Sequence, residues 1–91
     1  MTKNIEKAII GDNNKIVTVY SEPDCIQCNF TKHYLNTHGI EYREIDVTQD
    51  EEAYKELKMN GYQSVPVVAV GTLDNSWSDF RPDRLAELKE D

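Results

Sequence analysis

Residues 15–28 read KIVTVYSEPDCIQC. The first six are β-branched, aromatic or aliphatic apart from Lys15, a composition that suits a buried strand. "SEPD" breaks the strand, and a helical pattern starts at Cys25. From there Ile26, Phe30 and Tyr34 recur at i, i+4, i+8, and Cys28, Thr31 and Leu35 at i, i+3, i+7, with Gly39 as the stop. Two cysteines three positions apart thus fall where a strand feeds a helix, and they are the only two in the chain.

Outward from this junction the chain alternates. "IEYREIDV", 40–47, is a second strand. Thr48 and Glu51 have capping-box spacing for a second helix with Ala53, Tyr54 and Leu57 on its apolar face and Gly61 as its stop. "SVPVVAVG", 64–71, is a third strand, "TLDN" a turn, and "SWSDF", 76–80, a short fourth strand running into a loop. Pro82 opens a last helix anchored by Leu85 and Leu88. The order β-α-β-α-β-β-α predicts an α/β fold with a mixed four-stranded sheet flanked by helices. The first strand pair is parallel through a right-handed crossover and the last pair antiparallel. Residues 1–15 are polar around Ala8-Ile9-Ile10 and read as an arm, with an extra strand as the alternative; residues 16–91 read as one domain.

The chain has 91 residues and a net charge of −7. Nucleic-acid binding needs a basic footprint, which is missing. No apolar run approaches the ~20 residues of a membrane span, and the first residues lack the apolar core of a signal peptide. These features predict a cytoplasmic protein, where static disulfides rarely persist.

Three roles are open to Cys25 and Cys28: an inert buried pair, half a metal site, or a redox couple. Zinc generally takes four ligands, and the remaining soft candidates, His33 and His38, are five apart on one helix and point in different directions. No metal site is expected. A C-x-x-C at a strand-to-helix junction within a βαβ pattern favours redox chemistry. Unpaired N–H groups at the helix start favour thiolate at Cys25, while Glu22 and Asp24 oppose it. Cys28 lies almost one turn on, within reach of a mixed disulfide at Cys25.

Two further features stand out. Pro66 interrupts a strand, where proline is confined to edges, starts or bulges. A cis Val65–Pro66 bond would account for it and leave the Val65 backbone to pair with an extended substrate; a trans proline at a strand start is the plain alternative. In "SWSDFRPDRL", 76–85, Trp77 and Phe80 suit a core and Arg81 a local surface bridge, yet tryptophan and arginine are also enriched at binding hot spots.

Together "VTVYSEPDCIQC", "VPVV" and "SWSDFRP" resemble the thioredoxin superfamily, and more narrowly the NrdH-redoxins, small glutaredoxin-like electron donors to class Ib ribonucleotide reductase. The resemblance runs from Ile16 to about Leu88. It implies a thioredoxin-like fold with sheet order 2-1-3-4, Cys25 as nucleophile, Cys28 as resolving thiol and a redox-active disulfide between them. It also implies a cis Pro66 and a partner-binding surface of Gln27, Val65, Pro66, Trp77, Ser78, Phe80, Arg81 and Pro82. The implied partners are the ribonucleotide reductase large subunit and thioredoxin reductase, through which NADPH is used indirectly. The redoxin itself would be a monomer without a bound cofactor.

The alternatives are a glutathione-dependent glutaredoxin and a thioredoxin-fold binding or iron–sulfur module. The stretch "VGTLDNSWS" has one glycine where glutathione-binding relatives carry two, with Asp74 as a candidate acidic cap. Asp79 also stands where the family usually has glycine.

Overall fold

The computed structural model describes residues 16–88, so the predicted N-terminal arm lies outside the described residues. Its elements are β1 (Val17–Ser21), α1 (Ile26–Thr37), β2 (Arg43–Asp46), α2 (Glu51–Met59), β3 (Val67–Val70), β4 (Thr72–Ser78) and α3 (Pro82–Leu85), the last continued by a 3-10 turn over Ala86–Leu88. The sheet order is β2-β1-β3-β4. β1 runs parallel to β2 and antiparallel to β3, and β3 is antiparallel to β4. This is the thioredoxin-like arrangement expected from the sequence.

Alternation along β1 distributes its residues between two cores. Val17 and Val19 join Leu35 of α1, Val68, Trp77 and Leu85 of α3 on one face. Tyr20 joins Val67, Ala69 and Val47 with Ala53 and Leu57 of α2 on the other. Of the two apolar stripes on α1, only Cys28, Thr31 and Leu35 turn to the sheet; Ile26 and Phe30 remain exposed. Ser21 and Lys32 both donate to Glu44 Oε2, at 2.9 and 2.7 Å, tying α1 to the edge strand β2. The Lys32 ammonium holds the Glu44 carboxyl below its ordinary range.

Gly39 and Gly61 follow their helices with φ of +70° and +88°. In each case the glycine and the next residue donate back to the last turn: Gly39 to Asn36 and Ile40 to Leu35, Gly61 to Lys58 and Tyr62 to Leu57. This is the left-handed stop that glycine accommodates.

Three predicted boundaries move. α2 is capped by Asp50, whose Oδ1 accepts from the Ala53 N–H at 3.0 Å. Thr48 is unavailable because its hydroxyl and N–H both donate to Asp46 Oδ1. β3 starts only after Pro66, which has no N–H for the ladder. The fourth strand begins at Thr72, not residue 76, and ends at Ser78. Val70 pairs with Thr72 and Ala69 with Ser76, so "TLDN" is absorbed as a bulge within β4, braced by Ser76 Oγ donating to the Leu73 carbonyl at 2.7 Å. Among the described residues no helix is long and apolar enough to cross a membrane.

Candidate active site

The end of β1 delivers Cys25 to the N-cap of α1. Its backbone is extended (φ −110°, ψ 109°), and its Sγ accepts from the Cys28 N–H at 3.1 Å. The first turn of α1 contains no acidic side chain, so the positive end of the helix acts on this sulfur alone. Cys25 and Cys28 form a disulfide with a Cα–Cα separation of 5.2 Å. Their environments differ: Cys25 is half-buried, whereas Cys28 is 0% exposed beneath the helix. Glu22 and Asp24 are exposed, so water screens their opposition to the helix.

The Val65–Pro66 peptide bond is cis. Val65 lies outside the paired stretch of β3, and its carbonyl oxygen is 3.9 Å from Cys25 Sγ. Beside it the chain leaves β4 through Asp79, whose N–H donates to the Pro66 carbonyl at 2.9 Å. Asp79 has φ +73°, a left-handed conformation that aspartate tolerates better than most residues. Gln27, between the two cysteines, accepts from the Phe80 N–H through Oε1 at 3.0 Å. The structure thus brings Cys25, Cys28, Gln27, Val65, Pro66 and Phe80 together. Ser78 pairs with Val67 at the same end of the sheet.

The other three expected residues are used by the fold itself. Trp77 is only 5% exposed and packs with Leu35 and Leu85, its ring covered by the Arg84 guanidinium at 4.5 Å. It takes the core position that its residue type allows. Arg81 is paired with Asp83, its Nε and a terminal guanidinium nitrogen donating to the two carboxylate oxygens at 3.1 and 2.9 Å. Pro82 serves as the first residue of α3. Asp74, the candidate acidic cap for glutathione, is carried by β4. It lies in the β4 bulge opposite Val70, at the end of the sheet remote from Cys25.

Two features of the site escaped the sequence reading. Phe30 and Ile26, 53% and 68% exposed, form an apolar rim on the outer face of α1, and the Phe30 ring lies 5.7 Å from that of Phe80. Their i, i+4 spacing was visible; their direction was not. On the α2 side of Val65 opens a cleft of about 150 Å³ lined in part by Glu22, Val47, Tyr54, Leu57, Tyr62 and Val65. It is assembled from separate segments, and no motif announces it.

Comparison with known proteins gives a consistent picture. Residues 17–73 match the model of the glutaredoxin family. The chain is 39% identical over 72 residues to the glutaredoxin-like protein NrdH of Escherichia coli K12, covering 79% of this chain and 86% of that one. It is 36% identical over 73 residues to the NrdH protein of Lactococcus lactis subsp. cremoris, covering 80% and 99%. The solved structure of the E. coli NrdH-redoxin, described as having a thioredoxin-like activity profile, superposes with a TM-score of 0.77 at 37% identity, covering 82% of this chain and 96% of that one.

Proposed function

The chain belongs to the glutaredoxin family, among its NrdH-like members, and is a thiol–disulfide oxidoreductase; on that premise we propose that it donates electrons to a class Ib ribonucleotide reductase in the cytoplasm and is re-reduced by thioredoxin reductase. The observation that carries this reading is the inequality of the two sulfurs, Cys25 half-buried at a helix N-terminus and Cys28 sealed beneath it.

The exchange has two steps. The Cys25 thiolate attacks one sulfur of the target disulfide, forming a mixed disulfide and expelling the other target sulfur as thiolate. The Cys28 thiolate then attacks Cys25 Sγ, closing the intramolecular disulfide and releasing the second target thiolate. Two electrons pass to the target, and solvent supplies its two protons. NADPH returns the electron pair through the reductase, so no cofactor need bind the redoxin. Helix N–H groups favour thiolate at Cys25, and the Val65 backbone offers an edge for an extended target segment. The whole of residues 16–91 would act as the redoxin unit.

The reductase route over glutathione is supported by the position of Asp74 at the end of the sheet remote from Cys25 and by Glu22 on the cleft that Val65 lines, since glutathione is anionic. A coupled assay tests it. Oxidised protein, NADPH, thioredoxin reductase and a disulfide substrate should consume NADPH. Cys25→Ser should abolish that consumption, and Cys28→Ser should accumulate a mixed disulfide through Cys25. Turnover only with glutathione and its reductase would instead identify a glutathione-dependent glutaredoxin.

A further inference from the structure

The cleft on the α2 side of Val65 plays no part in the exchange just described. It shares Val65 with the site, and Val65 is the residue whose carbonyl lies 3.9 Å from Cys25 Sγ. A peptide held along Val65 with its cysteine at Cys25 therefore has a neighbouring side chain within reach of the cleft. Val47, Tyr54, Leu57 and Tyr62 give the cleft an apolar and aromatic wall, and Gln63 and Ser64 add a polar edge. At about 150 Å³ the space is comparable to an apolar cavity that holds a benzene-sized group, enough for the stem of one long side chain.

The charges of the cleft are unequal in availability. The Lys58 ammonium is engaged 5.3 Å from the Tyr54 ring centroid. Glu22 has neither an ion-pair nor a hydrogen-bond partner among the described residues. Lys58 keeps its charge, so the lining carries one charge of each sign, and Glu22 is the carboxylate open to a cationic partner among the described residues. Long cationic side chains bury their stems against apolar surface and keep the charged head at the rim.

We propose that this cleft is a specificity subsite for a lysine or arginine side chain adjoining the attacked cysteine of the protein substrate, with Glu22 as its charge partner. The proposal rests on the reading that Cys25 attacks a protein disulfide. It makes Glu22 a selector against anionic substrates as well as for cationic ones.

The test uses three short peptides, each closed by one intramolecular disulfide and differing only in the residue before the first cysteine: lysine, leucine or glutamate. Reduction by the pre-reduced full chain is followed for each. The lysine peptide should exceed the glutamate peptide about fivefold in kcat/KM, as expected of one solvent-edge ion pair set against one like-charge contact, with leucine between them. The difference should sit in KM and shrink at high salt. Glu22→Gln should level the series, and Glu22→Lys should invert it. A ratio unmoved by Glu22→Lys, or a leucine peptide equal to the lysine peptide with the unaltered chain, overturns the proposal. Bis(2-hydroxyethyl) disulfide in the reductase-coupled assay separates the two readings. Turnover there with charge-blind peptide kinetics overturns the subsite alone; no exchange with any disulfide overturns the assignment of the cysteines and the subsite with it.

Discussion

The two faces of the sheet are packed to different standards. On the α1/α3 face Val19, Leu35, Val68 and Leu85 are all 0% exposed, and Trp77 fills the space between them. On the α2 face Val67 is equally buried, Ala69, Leu57, Ala53, Tyr20 and Val47 retain 3%, 4%, 6%, 8% and 8% exposure, and the space beside Leu57 stays open as the cleft. Close packing adds stability because each contact is individually small and collectively large. An open face gives up part of that gain and keeps room for a ligand. The domain is packed tightly on one side and left open on the other, with Val65 lining the open space.

Core truncation is the strongest way to break this comparison. Leu35→Ala should cost about 2–5 kcal/mol, with the larger values expected where the surroundings cannot collapse. Leu57→Ala, beside a space already open to water, should fall at about the lower end of that range. Thermal unfolding resolves the difference readily, at about 4–8 °C per kcal/mol for a domain of this size. Equal losses at the two positions would mean that the faces are packed alike.

The helix caps sharpen it next. Asp50→Ala removes the acceptor for the Ala53 N–H and should lower stability by about 1 kcal/mol, read as a lower urea midpoint with unchanged slope. Cys25 occupies the corresponding position on α1 with a sulfur as acceptor. One cap therefore secures the open face, while the other is committed to chemistry.

Gln27→Ala should have a smaller effect, about 0.5–1 kcal/mol, since the Gln27–Phe80 hydrogen bond is solvent-exposed. Its signature is local: amide hydrogen exchange at Phe80 should accelerate while exchange within α2 stays constant. Acceleration spread equally over both faces would show that this bond does not act specifically on the α1 side.

The smallest effect concerns Glu44. Its folded-state carboxyl is held below the ordinary value, first by the Lys32 hydrogen bond. A depressed carboxyl stabilises the folded state above its unfolded pKa of about 4.3, and the stabilisation is lost as pH falls through the folded value. For a pair this exposed it should be worth about 0–1 kcal/mol. Comparing the intact chain with Glu44→Gln between neutral and acid pH should show a gap that closes below the ordinary carboxylate range. A gap constant with pH would assign the effect to packing.

What the sequence disclosed follows the same division. The strand-to-helix junction, the element order and the glycine stops were legible because each rests on local chemistry: β-branched runs, cap positions, a left-handed φ. The errors came where two local preferences competed. Thr48 has capping-box spacing, but Asp46 captures its hydroxyl and N–H, and Asp50 takes the cap. "TLDN" has turn composition, but a single residue, Gly71, suffices to reverse the chain, so the polar run became a bulge. Trp77 and Arg81 were known as residue types; their directions depended on α3, which covers one and gives the other a carboxylate at Asp83. The cleft was hidden for a different reason. Glu22, Tyr54 and Tyr62 become neighbours only after the sheet has formed, and periodicity carries no information about an unfilled space.

Trp77 has one more consequence. It is the only tryptophan in the chain, and its indole nitrogen is buried without a hydrogen-bond partner among the described residues. An indole shielded from water fluoresces at short wavelength. Here the shield is α3 and the Arg84 guanidinium. The chain thus carries an intrinsic optical probe of its α1/α3 face, which should redden when α3 lifts.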